Sequence, residues 1–208
     1  MLFILLNHGP LVFSAAFAAV IIAISFHEFS HVLAAYLQGD ETGKRMGRLT
    51  LNPLVHLEPM GLILIVIAGF GWGRPAPFDS TMLRNHRFGP ILVAIAGPVS
   101  NFVLVLVFGL VMRAIFQILA LPVNNLLVIF LTYLIQINIM LMVFNLIPIP
   151  PLDGSRVLLT ALPDRYNNFK ESFERYGPFL LIAMVLFGGN IFQHLSSWMA
   201  GLAVKIIG

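Results

Sequence analysis

Residues Leu11 to Leu37 form one apolar stretch, broken only by the run Phe26-His27-Glu28-Phe29-Ser30-His31. A hydrocarbon core of about 30 Å takes roughly 20 helical residues to cross, so this stretch reads as a membrane span. The run therefore puts two imidazoles and a carboxylate where hydrocarbon is expected, and ionisable groups at that depth mark function by default. His27 and His31 stand one helical turn apart. Both rings leave the same face and can hold one metal ion, and the spacing His-Glu-x-x-His is that of zinc hydrolases.

The rest of the chain agrees with a membrane setting. Of its 208 residues 59% are hydrophobic and 10% charged, with a mean hydropathy of +0.93, against about a quarter charged in soluble domains. Four segments are long enough to span: about 11–37, 90–118, 126–148 and 178–204. Met60 to Trp72 is apolar but short, holds Gly61, Gly69 and Gly71, and runs on through Gly73 into Pro75 and Pro77. It reads as a re-entrant or interfacial element over 60–78, with room for a short β-hairpin. The expected fold is an all-α polytopic membrane protein, a single domain over 1–208 with four spans and this Gly/Pro-rich element. The charged stretch from Asp164 to Arg175 is expected to lie as an amphipathic helix on the membrane surface.

Met1 to Leu6 is too short to cross, and no cleavage signature for a removable signal peptide precedes the first span. With no cysteine in the chain, a metal would be held by His, Asp or Glu. Ten of the twelve Lys and Arg residues fall in three segments, 44–48, 74–87 and 156–175. With four spans, all three lie on one side. The positive-inside rule makes that side cytoplasmic, with the N-terminus outside. This basic bias concerns orientation and gives no support for nucleic acid binding.

Zinc that performs hydrolysis normally keeps three protein ligands and leaves a fourth position for water. The best third candidate is Asp153, which follows Asn145-Leu146-Ile147-Pro148-Ile149-Pro150-Pro151-Leu152 and precedes Gly154. Pro148, Pro150 and Pro151 forbid a regular helix there. Under the four-span topology Asp153 emerges near the end of the first helix, so the ligands can meet. By itself Leu-Asp-Gly also reads as an ordinary turn.

At this point the chain resembles the site-2 protease family of intramembrane zinc metalloproteases. The resemblance rests on His27-Glu28-x-x-His31, Gly47-Arg48-Leu49-Thr50-Leu51-Asn52-Pro53-Leu54, Gly71-Trp72-Gly73-Arg74-Pro75, Ala96-Gly97-Pro98-x-x-Asn101 and Asn145-x-x-Pro148-x-x-x-x-Asp153-Gly154. It runs from about residue 20 to residue 160 and is strongest to compact prokaryotic members without PDZ or CBS domains. One departure is Glu58 in His56-x-Glu58-Pro59, where Asp is the usual residue. The resemblance implies one zinc ion on His27, His31 and Asp153, with Glu28 as catalytic base and Asn101 and Asn145 lining the cleft. It implies a single-pass transmembrane protein as substrate, cleaved within the bilayer by an enzyme of the cell membrane that opens towards the cytoplasm.

Glu28 would take a proton from water and pass it to the leaving amine, while Asn101 or Asn145 could donate to the oxyanion. The segment 69–78 could serve as an edge to which an unwound substrate adds as a strand. Asn101 and Asn145 read equally well as polar contacts between helices, and Gly97 and Gly109 read as helix-packing positions. His8, His56, His86 and His194 read as solvated or interfacial, with His56 the one closest to a role. The competing function is a metal transporter or channel that uses the same ligands without chemistry; a scaffold that keeps only the fold is a third. Glu28 separates them, since a transport site needs no carboxylate beside, and outside, its ligand set.

Overall fold

A computed structural model describes residues 9–68, 71–187, 194, 197–202 and 204–205. Among these residues all regular structure is helical. Three helices are long and apolar enough to cross a membrane: α1 (Pro10–Leu37), α5 (Gly89–Ala114, continued by a wider turn to Leu119) and α6 (Leu126–Asn145). Each matches an expected span within a few residues. Three short helices, α2 (Thr42–Arg45), α3 (Pro53–His56) and α4 (Pro59–Ala68), lie between α1 and α5, and α7 (Asp153–Ala161) and the 21-residue α8 (Asn167–Phe187) follow α6.

Local chemistry fixes the ends of these elements. Pro10 starts α1, where a missing N–H costs nothing. At the far end Gly39, with φ 103°, donates to Tyr36 O and Asp40 donates to Ala35 O, the paired bonds of a Schellman stop. Asp40 is buried, and its carboxylate accepts from the backbone N–H of Thr42 and of Asp79, both at 2.8 Å. The end of α1 is thus tied to the loop that leads into α5. Asn125 caps α6 by accepting from Leu127 N–H at 2.9 Å.

The spans α1, α5 and α6 pack on one another. α1 buries a stripe of small residues, Ala15, Ala16, Ala19 and Ala23, which lets helices approach closely where lipid removes the hydrophobic drive. Ala19 meets Ile115, Val128, Leu131 and Leu134 in one core cluster. Val105, Ile139, Met142 and Val143 form a second, covered in part by Met199 and Ala200. His27 and His31 lie on the same buried face of α1 as Ala16, Ala23 and Ala35.

Two expectations change in detail. No strand forms among the described residues, so 60–78 contains α4 and, from Gly71, a stretch without regular structure. Pro75 and Pro77 have no N–H for a ladder, and Arg74 N–H is taken by His56 O at 2.7 Å. Yet the two ends of the segment meet: a Cβ on Gly61 would strike the carbonyl of Trp72, and one on Gly71 the carbonyl of Gly61. The expected surface helix over 164–175 also does not stop there. α8 runs on through Pro178 to Phe187, with Gly177 backed against Pro150. Of the expected span 178–204, residues 188–193, 195, 196 and 203 lie outside the described residues.

Candidate metal centre

α1, α5, α6 and the start of α7 converge on one point. His27 Nε2 and His31 Nε2 lie 3.1 Å apart, and Asp153 Oδ2 stands 3.1 Å from the first and 3.2 Å from the second. Asp153 reaches this place because the proline-rich turn after α6 delivers it as the first residue of α7. The chain there folds back so tightly that a Cβ on Gly154 would strike the carbonyl of Leu146.

The other ring nitrogens determine what the site offers. His31 Nδ1 lies 2.7 Å from Val93 O, a carbonyl that only accepts, so Nδ1 carries the hydrogen and Nε2 is bare. His27 Nδ1 donates to Asn101 Oδ1 at 2.7 Å. The amide of Asn101 is oriented in turn, because its Nδ2 donates to Asn138 Oδ1 at 2.8 Å and Asn138 Nδ2 donates to Leu134 O at 2.7 Å. That last carbonyl sets the sense of the whole chain. Both Nε2 lone pairs therefore face Asp153 Oδ2, a buried oxygen without a hydrogen-bond donor.

Three acceptor atoms within 4.8 Å of one another repel unless a cation lies among them. Two imidazoles and one carboxylate are the ligand types of a hydrolytic zinc site. Gly97 leaves the space clear: a Cβ there would run into His31 Nε2 and His27 Cε1. The residues fit a zinc ion. Without a metal, protons take its place: burial by itself would raise the Asp153 carboxyl, but imidazoles protonated at Nε2 donate to it and carry the opposite charge, which holds it well below the usual carboxylate range.

Glu28 sits beside the three candidate ligands and outside their set. Its carboxylate faces the irregular stretch after α4, where a Cβ on Gly73 would stand 3.3 Å from Oε1. Around it lie two buried basic side chains: Arg48, counted in the sequence among the surface cations, and His56, the loop histidine expected closest to a role. Arg48 Nη2 donates to Arg74 O at 2.6 Å and Pro75 O at 3.3 Å. Burial pushes its guanidinium below the ordinary arginine range, and Glu28 offsets part of that. His56 is fully buried and donates from Nε2 to Thr50 O at 2.6 Å, leaving Nδ1 without a partner. Burial pushes His56 below the usual imidazole value; the Thr50 bond works against this and Arg48 adds to it.

Asn101 thus touches His27 directly, and its amide N–H groups point to Asn138 and to Ala23 O rather than into open space. Asn145, at the end of α6, donates to Leu141 O at 3.0 Å within its own helix. Asn138 and the place of Gly97 against the rings were not foreseen. Asn138 had a signal, since an amide in the middle of an apolar span needs a partner.

A model of peptidase family M50 matches residues 114–188, which include Asp153. Over 178 residues the chain is 42% identical to YwhC of Bacillus subtilis, covering 81% of this chain and 77% of that protein. It is 32% identical over 182 residues to Rip2 of Mycolicibacterium smegmatis, covering 84% of this chain and 67% of the relative. Zinc metalloprotease MJ0392 of Methanocaldococcus jannaschii is 31% identical over 109 residues, 51% of this chain and 30% of its own length. The names of YwhC and Rip2 likewise describe zinc metalloproteases. No solved structure matches the chain at a significant level.

Proposed function

Because the chain belongs to peptidase family M50, the site-2 proteases, and is a multi-pass zinc metalloprotease of the membrane, we propose that it cuts single-pass proteins within or near their transmembrane helix. His27, His31 and Asp153 hold the zinc and Glu28 is the base. The observation that carries the reading is the convergence of both Nε2 atoms on Asp153 Oδ2, with Glu28 adjacent and unligated.

When bound, zinc acidifies a water molecule and polarises the scissile carbonyl. Glu28 accepts the proton from that water and delivers it to the leaving amine, as a half-buried carboxylate beside the ligands is placed to do. Asn101 acts through His27: its carbonyl holds Nδ1–H and keeps Nε2 bare. Asn145 is the amide left to serve the cleft, once substrate competes for its bond to Leu141 O. The stretch from Gly71 to Pro77 runs past Glu28 and is the edge on which an unwound substrate pairs.

The membrane path follows the same reading. α4 has ten residues, about 15 Å at 1.5 Å per residue, half of a hydrocarbon core. The contact of Gly61 with Trp72 supports a path that enters and returns on one side. That keeps the basic segments together on the cytoplasmic face of the cell membrane, with the site opening there and a fourth span over 178–204.

The test is cleavage of a single-pass substrate in detergent or liposomes by wild type and Glu28→Gln, with bound zinc assayed in both. Product from wild type and none from a variant that retains zinc is the expected result. Equal product would remove Glu28 as base. Zinc binding with proton- or voltage-coupled metal flux in liposomes, and no cleavage, would favour a transporter.

A further inference from the structure

Arg48 counts in the sequence as one of the basic residues of the membrane surface, yet its side chain turns inward and is 6% exposed. Burying a guanidinium is costly, so its contacts have to compensate. They are two successive backbone carbonyls, Arg74 O at 2.6 Å and Pro75 O at 3.3 Å, with Glu28 as the nearby opposite charge. The same stretch is held on its other sides. Arg74 N–H donates to His56 O at 2.7 Å, Glu58 Oε2 lies 3.5 Å from Arg74 Nε, and Trp72 packs on Gly61 with no room for a Cβ between them.

An irregular segment that contains two prolines cannot be fixed by a ladder of its own, because Pro75 and Pro77 lack donors. Side chains have to hold it. Of these, Arg48 is the one that reaches both carbonyls just past Gly73, the residue that faces Glu28 Oε1. Glycine there keeps the backbone itself, rather than a side chain, against the base.

We infer that Arg48 is a positioning residue: the two bonds its Nη2 donates to the Arg74 and Pro75 carbonyls hold Gly73 against Glu28 and so fix which peptide bond of a paired substrate reaches the base. This rests on the proteolytic reading above. Both bonds leave from Nη2 at the tip of the side chain, and a lysine ammonium ends one atom short of that position, so lysine is a partial replacement. Arg48 touches none of the three candidate ligands, so zinc binding is independent of it.

The test uses the full chain as wild type, Arg48→Lys and Arg48→Met, with three readouts: zinc content, amide hydrogen exchange over 71–78, and mass-spectrometric mapping of cleavage positions in a single-pass substrate. Zinc content stays at the wild-type level in both variants. Exchange at Arg74, whose N–H is bonded to His56 O, rises about tenfold or more in Arg48→Met, the scale of one lost charge-assisted hydrogen bond. Cleavage spreads from one principal bond to its neighbours, with KM raised more than kcat is lowered, and Arg48→Lys falls between. Unchanged exchange with a single cut in Arg48→Met overturns the inference, as does a loss of zinc in folded variants. If Arg48→Met does not fold, Arg48→Lys decides on the same readouts. If wild type binds zinc but cleaves nothing, proteolysis fails on its own account, and unchanged exchange in the variants separately sinks the clamp.

Discussion

Asn101 Nδ2 donates to Asn138 Oδ1 across 2.8 Å, and this bond between α5 and α6 decides which end of the Asn101 amide meets His27 on α1. An amide turned the other way would present N–H to His27 Nδ1 and pull the ring hydrogen to Nε2, where it would block a metal. Asn138→Leu is therefore expected to weaken zinc binding about 10- to 100-fold, the usual range for loss of an outer-shell partner. Competition with a chromogenic chelator on the folded protein measures it. An unchanged affinity would make Asn138 no more than a contact between helices.

Gly97 lies against both imidazoles, where a methyl group has no space. Gly97→Ala is expected to displace the rings and cut zinc occupancy by at least about tenfold, while α5 gains helix propensity of roughly 1 kcal/mol. Metal analysis beside a thermal melt of the metal-free protein separates the two effects. Retained zinc would show that the rings can move aside.

Asp153→Asn keeps the size of the side chain and removes its charge. With two imidazoles left as full ligands, zinc affinity is expected to fall by well over tenfold and cleavage with it. The metal-free variant is also expected to lose less stability than wild type as the pH falls. A carboxyl held below its ordinary range stabilises the fold above the unfolded value of about 4 and loses that contribution as the pH drops through its folded value. Parallel acid titrations of both metal-free proteins, followed by circular dichroism, check this.

His56 gives a pH effect away from the metal. Burial keeps its imidazole below the ordinary value of 6.5, so on acidification the unfolded chain takes up a proton before the folded one does. Stability is complete above about pH 6.5 and declines as the pH falls towards the depressed folded value. His56→Gln can still donate to Thr50 O but cannot titrate. Its melting temperature is expected to fall less than that of wild type between about pH 7.5 and pH 5.5. Parallel slopes would show that His56 stays solvated.

The spans were legible because hydrocarbon thickness sets their length, and α1, α5 and α6 end within a few residues of the expected bounds. His27 and His31 were legible because one helical turn fixes their relation, and Asp153 because topology brings the end of α6 to the same side as the end of α1. Arg48 was not. Charge counting treats it as a surface cation, and nothing in Gly47-Arg48-Leu49 announces that a later turn will offer it two carbonyls. Pro178 misled for a related reason: a proline after Gly177 reads as the start of a helix, but Gly177 backs onto Pro150 and α8 carries straight through. Such details belong to contacts between distant segments, which periodicity does not encode.

Asp153 opens α7, while the two imidazoles it faces belong to α1. In the proposed centre the third ligand therefore leaves the ribosome about 120 residues after the two histidines. A chain interrupted between α1 and α7 carries both histidines but lacks the third ligand of the proposed set. Under the proposed mechanism a half-made copy cannot hydrolyse the membrane proteins around it, and the order of synthesis itself acts as a safety catch.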